Sequence, residues 1–159
     1  MKKIKESTIQ RSVYIIKPEA QIHPPNEVSE ILESHGLAII ERKWPKMTPK
    51  LVEEIYRGMD DQILQVMVTY LDDKVCEVGC VEGPKAIQAL AEAIGTEEDP
   101  SKCFSLSLRF LHGANRPTMI GKKKFWLNAF DYAKNEREAS RLMGIFCFEH
   151  AAVHTSIAS

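Results

Sequence analysis

Val13-Tyr14-Ile15-Ile16-Lys17-Pro18-Glu19 is the stretch from which the rest of the chain can be read. Its apolar run predicts a strand packed on both faces, which is rigid. The strand delivers Lys17 to its carboxyl end, where Pro18 stops it. An ammonium held there projects into a cleft at a natural place for a polyanionic ligand such as a nucleotide phosphate. Many strands also end in a solvated lysine and a proline, so this reading depends on the other motifs of the chain.

At 159 residues the chain is one domain with a single sizeable core. With 21 basic and 22 acidic residues it has no overall pull toward nucleic acid or membrane, so phosphate affinity has to come from a local cluster. Residues 1–7 are charged but lack the apolar stretch of a signal peptide. No segment approaches the roughly 18 apolar residues that span a bilayer. Cys76, Cys80, Cys103 and Cys147 form no CxxC pair, which argues against a zinc site or disulfide framework. Cys76 and Cys80, four apart on an expected strand, share a face as small core residues. A reduced, cytoplasmic protein without membrane or nucleic-acid partners is expected.

Strands are expected at 12–16, 37–44, 74–81 and 126–130. Helices are expected between them: one capped by Asn26 and closed by Gly36, and one starting with Thr48 as cap and Pro49 in the first turn. Three more are expected over 62–71, 85–94 and 135–146, each with an apolar stripe at helical spacing. The order β-α-β-α-α-β-α-β-α predicts an α/β (α+β) fold. Its centre is a ferredoxin-like four-stranded antiparallel sheet, βαββαβ, with flanking helices. Residues 1–11 read as an N-terminal extension, 12–148 as the domain and 149–159 as a tail. Polar stretches at 96–102 and 113–124 read as loops.

Several of these segments form a recognisable series. Ile15-Ile16-Lys17-Pro18-Glu19, Gly36-Leu37-Ala38-Ile39-Ile40, Val81-Glu82-Gly83 and Ser107-Leu108-Arg109-Phe110 follow one another in order. Asn128-Ala129-Phe130-Asp131 and then Asn135-Glu136-Arg137-Glu138-Ala139 complete it. Over roughly residues 12–148 the chain resembles the nucleoside diphosphate kinase family. The resemblance implies transfer of the γ-phosphoryl group of a nucleoside triphosphate to a nucleoside diphosphate, with Mg²⁺ on the bound nucleotide. It also implies a dimer-based homo-oligomer that extends to hexamers. Lys17 and Arg109 would be the phosphate-side cations, Asn128 would contact sugar or phosphate, and Tyr56 would line the site. The base-stacking position falls at Ile63 or Leu64.

The chain departs from that family's pattern where the chemistry is concentrated. The phosphate-accepting histidine aligns with Asp131, its supporting glutamate with Leu142, and a second phosphate-binding arginine with Ala91. A threonine of the site falls one residue out of register with Thr96. A carboxylate about 4 Å from a phosphate charge, at an effective dielectric near 20, is repelled by roughly 4 kcal/mol. Phosphoryl exchange by the usual histidine route is therefore expected to be weak or absent. The alternative is a catalytically silent pseudo-enzyme serving as an oligomeric binding or scaffold module.

His112-Gly113-Ala114-Asn115 is similar to the family's histidine motif taken alone, which makes His112 an alternative nucleophile. A loop histidine without a role is the simpler reading. Gly121-Lys122-Lys123-Lys124 is either a solvated loop or a basic lid that replaces the missing arginine. It lacks the spacing of a P-loop. Glu97-Glu98-Asp99-Pro100 reads as solvated surface or a subunit contact, and Trp44 and Trp126 as core or subunit-contact residues.

Overall fold

Strand β1 (Ile9–Ile16) is the spine of the molecule, and every residue of it from Arg11 onward is buried. Alternation sends Val13 and Ile15 into one hydrophobic core and Tyr14 and Ile16 into the other. Two-sided burial is what the unbroken apolar run requires, since each such side chain gains roughly 1.5–3 kcal/mol by leaving water. The computed structural model describes residues 8–18, 25–113, 117–120, 122–126 and 128–148.

β1 pairs antiparallel with β3 (Glu77–Pro84) on one side and with β6 (Phe130–Tyr132) on the other. β2 (Ala38–Lys43) flanks β3, giving a four-stranded antiparallel sheet in the order β2-β3-β1-β6. This is the ferredoxin-like arrangement expected from the element order. Register between β1 and β3 sets Tyr14 opposite Gly79, and any Cβ at Gly79 would fall inside the Tyr14 ring.

One face carries α2 (Pro49–Ile55), α3 (Asp61–Leu71) and α6 (Glu136–Ile145), which bury Val52, Ile55, Met67, Leu71, Ala139 and Leu142. The other carries α1 (Pro25–Ser34), α4 (Ala86–Ile94) and α5 (Leu108–His112), through Leu32, Leu90, Ala93 and Leu108. Local chemistry starts α2 and closes α1 as anticipated, and it caps α6. The Thr48 side chain accepts from the Leu51 N–H at 3.1 Å with Pro49 in the first turn, and Asn135 accepts from the Glu138 N–H at 2.8 Å. Gly36 takes φ +78° just beyond α1.

Several expectations are corrected. The fourth strand of the sheet is Phe130–Tyr132 rather than 126–130, because Ile16 of β1 pairs with Phe130. Trp126 instead ends a hairpin formed by β4 (Pro117–Ile120) and β5 (Lys123–Trp126), most of it within the stretch 113–124 read as a loop. α1 starts at Pro25, so Asn26 lies inside its first turn rather than at its cap. Cys76 precedes β3 rather than lying on it, yet it and Cys80 share one core as expected. A 3₁₀ turn (Pro100–Lys102) and α5 add helical structure that was not anticipated. Trp44 is 57% exposed and is no core residue. The N-terminal residues before Thr8 and the tail beyond Phe148 lie outside the described residues. No described helix is long and apolar enough to cross a membrane.

Candidate functional site

The end of β1 leads directly into a cleft. Lys17 follows the strand, donates its backbone N–H to the Ala129 carbonyl at 2.8 Å, and is 2% exposed. Across the β1–β6 pair, Asp131 faces Ile15 and therefore shares its side of the sheet, while Phe130 enters the opposite core. Tyr56 reaches the same point from the C-cap of α2.

The three side chains meet at one carboxylate. Tyr56 donates its hydroxyl to Asp131 Oδ2 at 2.5 Å, and the Lys17 ammonium lies 3.1 Å from the same oxygen. Asp131 Oδ1 is 3.6 Å from Arg109 Nη2. Burial pushes the Asp131 carboxyl up, but Lys17, the Tyr56 hydrogen bond and Arg109 outweigh it and hold the group below the ordinary carboxylate value. Burial first, and then the Asp131 charge, push the Tyr56 phenol well above its usual value. The phenol is thus a fixed donor at neutral pH. Burial also pushes the neighbouring Cys76 thiol up to about 11, which leaves it protonated and unreactive.

Arg109 is held differently from a free phosphate ligand. Its Nε and Nη2 donate to the Phe130 carbonyl at 3.1 and 3.0 Å, and Nη1 donates to Gly95 and Glu97 carbonyls at 3.1 and 3.0 Å. The guanidinium clamps the strand before Asp131 to the loop after α4. Arg141 is a brace of the same kind, donating to the carbonyls of Glu54 and Ile55 at the end of α2.

Lys17, Tyr56, Arg109, Asn128 and Asp131 line one cleft of about 650 Å³. The sequence had suggested all five. Thr96 lines it too, despite its register offset. Asn128 is 7% exposed, and its Oδ1 has no hydrogen-bond partner among the described residues.

Other candidates fall elsewhere. Ile63, on α3, packs half-buried against the core, and neither it nor Leu64 lines the cleft; Ile55, Met59, Met67 and Trp126 provide its apolar surface. Ile63 and Met67 share one face of α3, and position along the helix decides this, because Met67, one turn on, is the one that lies at the cleft. His112 is also outside the cleft. Its Nε2 lies 3.3 Å from Glu27 on α1, and its ring sits 6.4 Å from that of Phe130, which is buried in the opposite core. Leu142 is a core residue. Lys122 and Lys124 are exposed and do not line the cleft, and the Lys123 side chain lies outside the described residues.

Sequence reasoning missed the cations Arg57, Lys134, Arg137 and Arg141, which line the cleft with Glu98 and Glu138. The signal was present: Arg57 adjoins Tyr56, and Lys134, Arg137 and Arg141 bracket the start of α6. Arg137 and Arg141 are one helical turn apart and so share a face.

A family model described as nucleoside diphosphate kinase matches residues 10–152. The chain belongs to the nucleoside diphosphate kinase family. Solved structures of that family carry the same fold. A transition-state mimic of the Borrelia burgdorferi nucleoside diphosphate kinase with bound vanadate and ADP aligns with a TM-score of 0.73 at 16% identity, covering 89% of this chain and 88% of that one. The Pyrobaculum aerophilum enzyme aligns at 0.75 and 16% identity, over 90% and 98%. The Halobacterium salinarum enzyme in complex with CDP aligns at 0.67 and 18%, over 86% of each chain. A comparison with curated protein sequences returned no match.

Proposed function

We propose that this member of the nucleoside diphosphate kinase family binds a nucleoside di- or triphosphate in the cleft at Lys17. We propose further that γ-phosphoryl transfer through a covalent intermediate is weak or absent. One observation carries the binding reading: four separate segments bring Lys17, Tyr56, Arg109, and Asn128 with Asp131, to a cleft with six cationic side chains against three carboxylates. An excess of fixed positive charge in a walled cleft favours a polyanion.

The case against transfer comes from Asp131. Its oxygens are engaged by Tyr56 and Lys17, with Arg109 alongside, so the carboxylate is a poor nucleophile. Its charge also opposes approach of a terminal phosphate. Mg²⁺ fits as an ion that arrives on the nucleotide. No group of three His, Cys, Asp or Glu among the described residues forms a metal cage, and Mg²⁺ commonly keeps its waters and binds through phosphate oxygens. Bound that way, it screens phosphate charge.

Incubation with γ-labelled ATP and Mg²⁺, beside a coupled exchange assay and calorimetry with ADP, tests the reading. Saturable ADP binding with neither label nor exchange is expected. Alkali-stable label would reveal a phosphohistidine, and hydroxylamine-labile label an acyl phosphate on Asp131; either overturns the suppression of transfer. No heat of ADP binding at millimolar nucleotide overturns the binding reading.

A role in assembly is favoured by a separate observation. Phe104, Leu106, Phe110 and Leu111 are between 42% and 66% exposed within one short stretch around α5. Exposed apolar side chains concentrated in this way mark an association surface. We propose that it contributes to a homo-oligomer. Light scattering should show a multimer that the pair Phe104→Asp and Leu106→Asp reduces in size; a monomeric parent would remove the proposal.

A further inference from the structure

We propose that Asp131 is a tethered anion occupying the innermost phosphate position of the cleft, which makes the site selective for nucleoside diphosphates over triphosphates. This rests on the nucleotide-binding reading and assigns it a ligand class.

The cleft's positive charge is divided between a closed end and a mouth. At the closed end, Lys17 and Arg109 are 2% and 6% exposed. The ammonium is already paired with Asp131 Oδ2, and the Tyr56 hydroxyl donates to the same atom. The Arg109 nitrogens are occupied by the carbonyls of Phe130, Gly95 and Glu97, with Asp131 Oδ1 beside Nη2. Every strong donor named at this end therefore faces a carboxylate or a carbonyl. An incoming phosphate does not exchange Asp131 for solvent, because the carboxylate is tethered to β6, and rotating it aside would break its contacts with Tyr56, Lys17 and Arg109 together.

At the mouth the situation is reversed. Arg57, Lys134 and Arg137 are exposed, line the same cleft, and make no side-chain hydrogen bond or ion pair among the described residues. These three can meet the charge of two phosphates. A third phosphate on the same nucleotide must either extend inward, against the Asp131 charge, or outward, beyond the cations. Like charges at close range in a partly buried site are costly, whereas the diphosphate avoids the encounter.

The test is calorimetric titration with ADP and with the β,γ-imido analogue of ATP, which cannot turn over, first in EDTA and then with Mg²⁺. In EDTA the parent protein should bind ADP at least tenfold more tightly than the analogue, with a smaller gap once Mg²⁺ screens the phosphates. Asp131→Asn keeps an acceptor for Tyr56 and almost the same volume; in it the gap should shrink below threefold, mainly because the analogue gains. Equal affinities in the parent, or an analogue that binds more tightly, overturn the proposal while leaving nucleotide binding intact. So does an unchanged gap in a folded Asp131→Asn protein. If that variant does not fold, the parent's ratio and its response to Mg²⁺ decide alone. Failure of the parent to bind either nucleotide is a different outcome, and removes the nucleotide-binding reading together with this one.

Discussion

Replacing Lys17 with methionine isolates the interaction on which the cleft depends. The ammonium lies 3.1 Å from Asp131 Oδ2, and the two side chains are 3% and 23% exposed. Removing one partner of a fully buried pair typically costs about 3–5 kcal/mol, because the remaining charge is stranded. Here the loss is smaller, since Asp131 keeps the Tyr56 hydroxyl and the more distant Arg109 and is partly wetted. A cost of about 2–3 kcal/mol is expected, or roughly 4–12 °C in melting temperature for a chain of this size. Urea denaturation of Lys17→Met, Asp131→Asn and the double variant closes a thermodynamic cycle, and a coupling energy of about 1–3 kcal/mol should emerge.

The pH dependence carries the same information. The folded carboxyl of Asp131 titrates below its ordinary value of about 3.9, so its stabilisation is complete above that pH. It drains away as pH falls from about 4 through the folded value. The parent should therefore lose more stability below about pH 4 than Asp131→Asn does. A Lys17→Met cost under about 0.5 kcal/mol together with zero coupling would refute the ion pair and the geometry built on it.

Tyr56→Phe removes the other donor to Asp131 and should cost about 1.5–3 kcal/mol, the range for hydrogen bonds to charged groups, while raising the Asp131 pKa. Carbon-detected NMR titration of the carboxyl reads that shift, and an unchanged value contradicts the bond. Arg109→Lys keeps the charge but cannot reach the carbonyls of Phe130, Gly95 and Glu97 together. It should destabilise by about 2–4 kcal/mol, and a melting curve that matches the parent would show that the clamp is dispensable. Gly79→Ala drives a methyl into the Tyr14 ring and should cost at least about 1–3 kcal/mol as overpacking; a neutral result would argue against the β1–β3 register.

Much of the fold was legible because its signals are local. The apolar run at 13–16, the Thr48-Pro49 start of α2 and the stripes of α3, α4 and α6 are properties of neighbouring residues. Each carries its own period or cap chemistry. The β4–β5 hairpin and α5 escaped for the complementary reason. They are short elements whose residues lack a clear stripe and whose existence depends on what they fold against.

For the site, the sequence by itself pointed to residues that share one cleft: Lys17, Tyr56, Arg109, Asn128 and Asp131 all line it. Only tertiary structure decided what each of them does there. Arg109 reads as a free cation in the sequence, but burial beside three backbone carbonyls makes it a clamp. Its place along α3 left Ile63 against the core and Met67 at the cleft, and the sheet separated His112 from the cleft. Arg57, Lys134 and Arg137 became a set only when the end of α2 was brought against the start of α6. Chain order encodes period and capping, whereas charge pairing and access arise from contacts between residues far apart along the chain, which exist only once the sheet has formed.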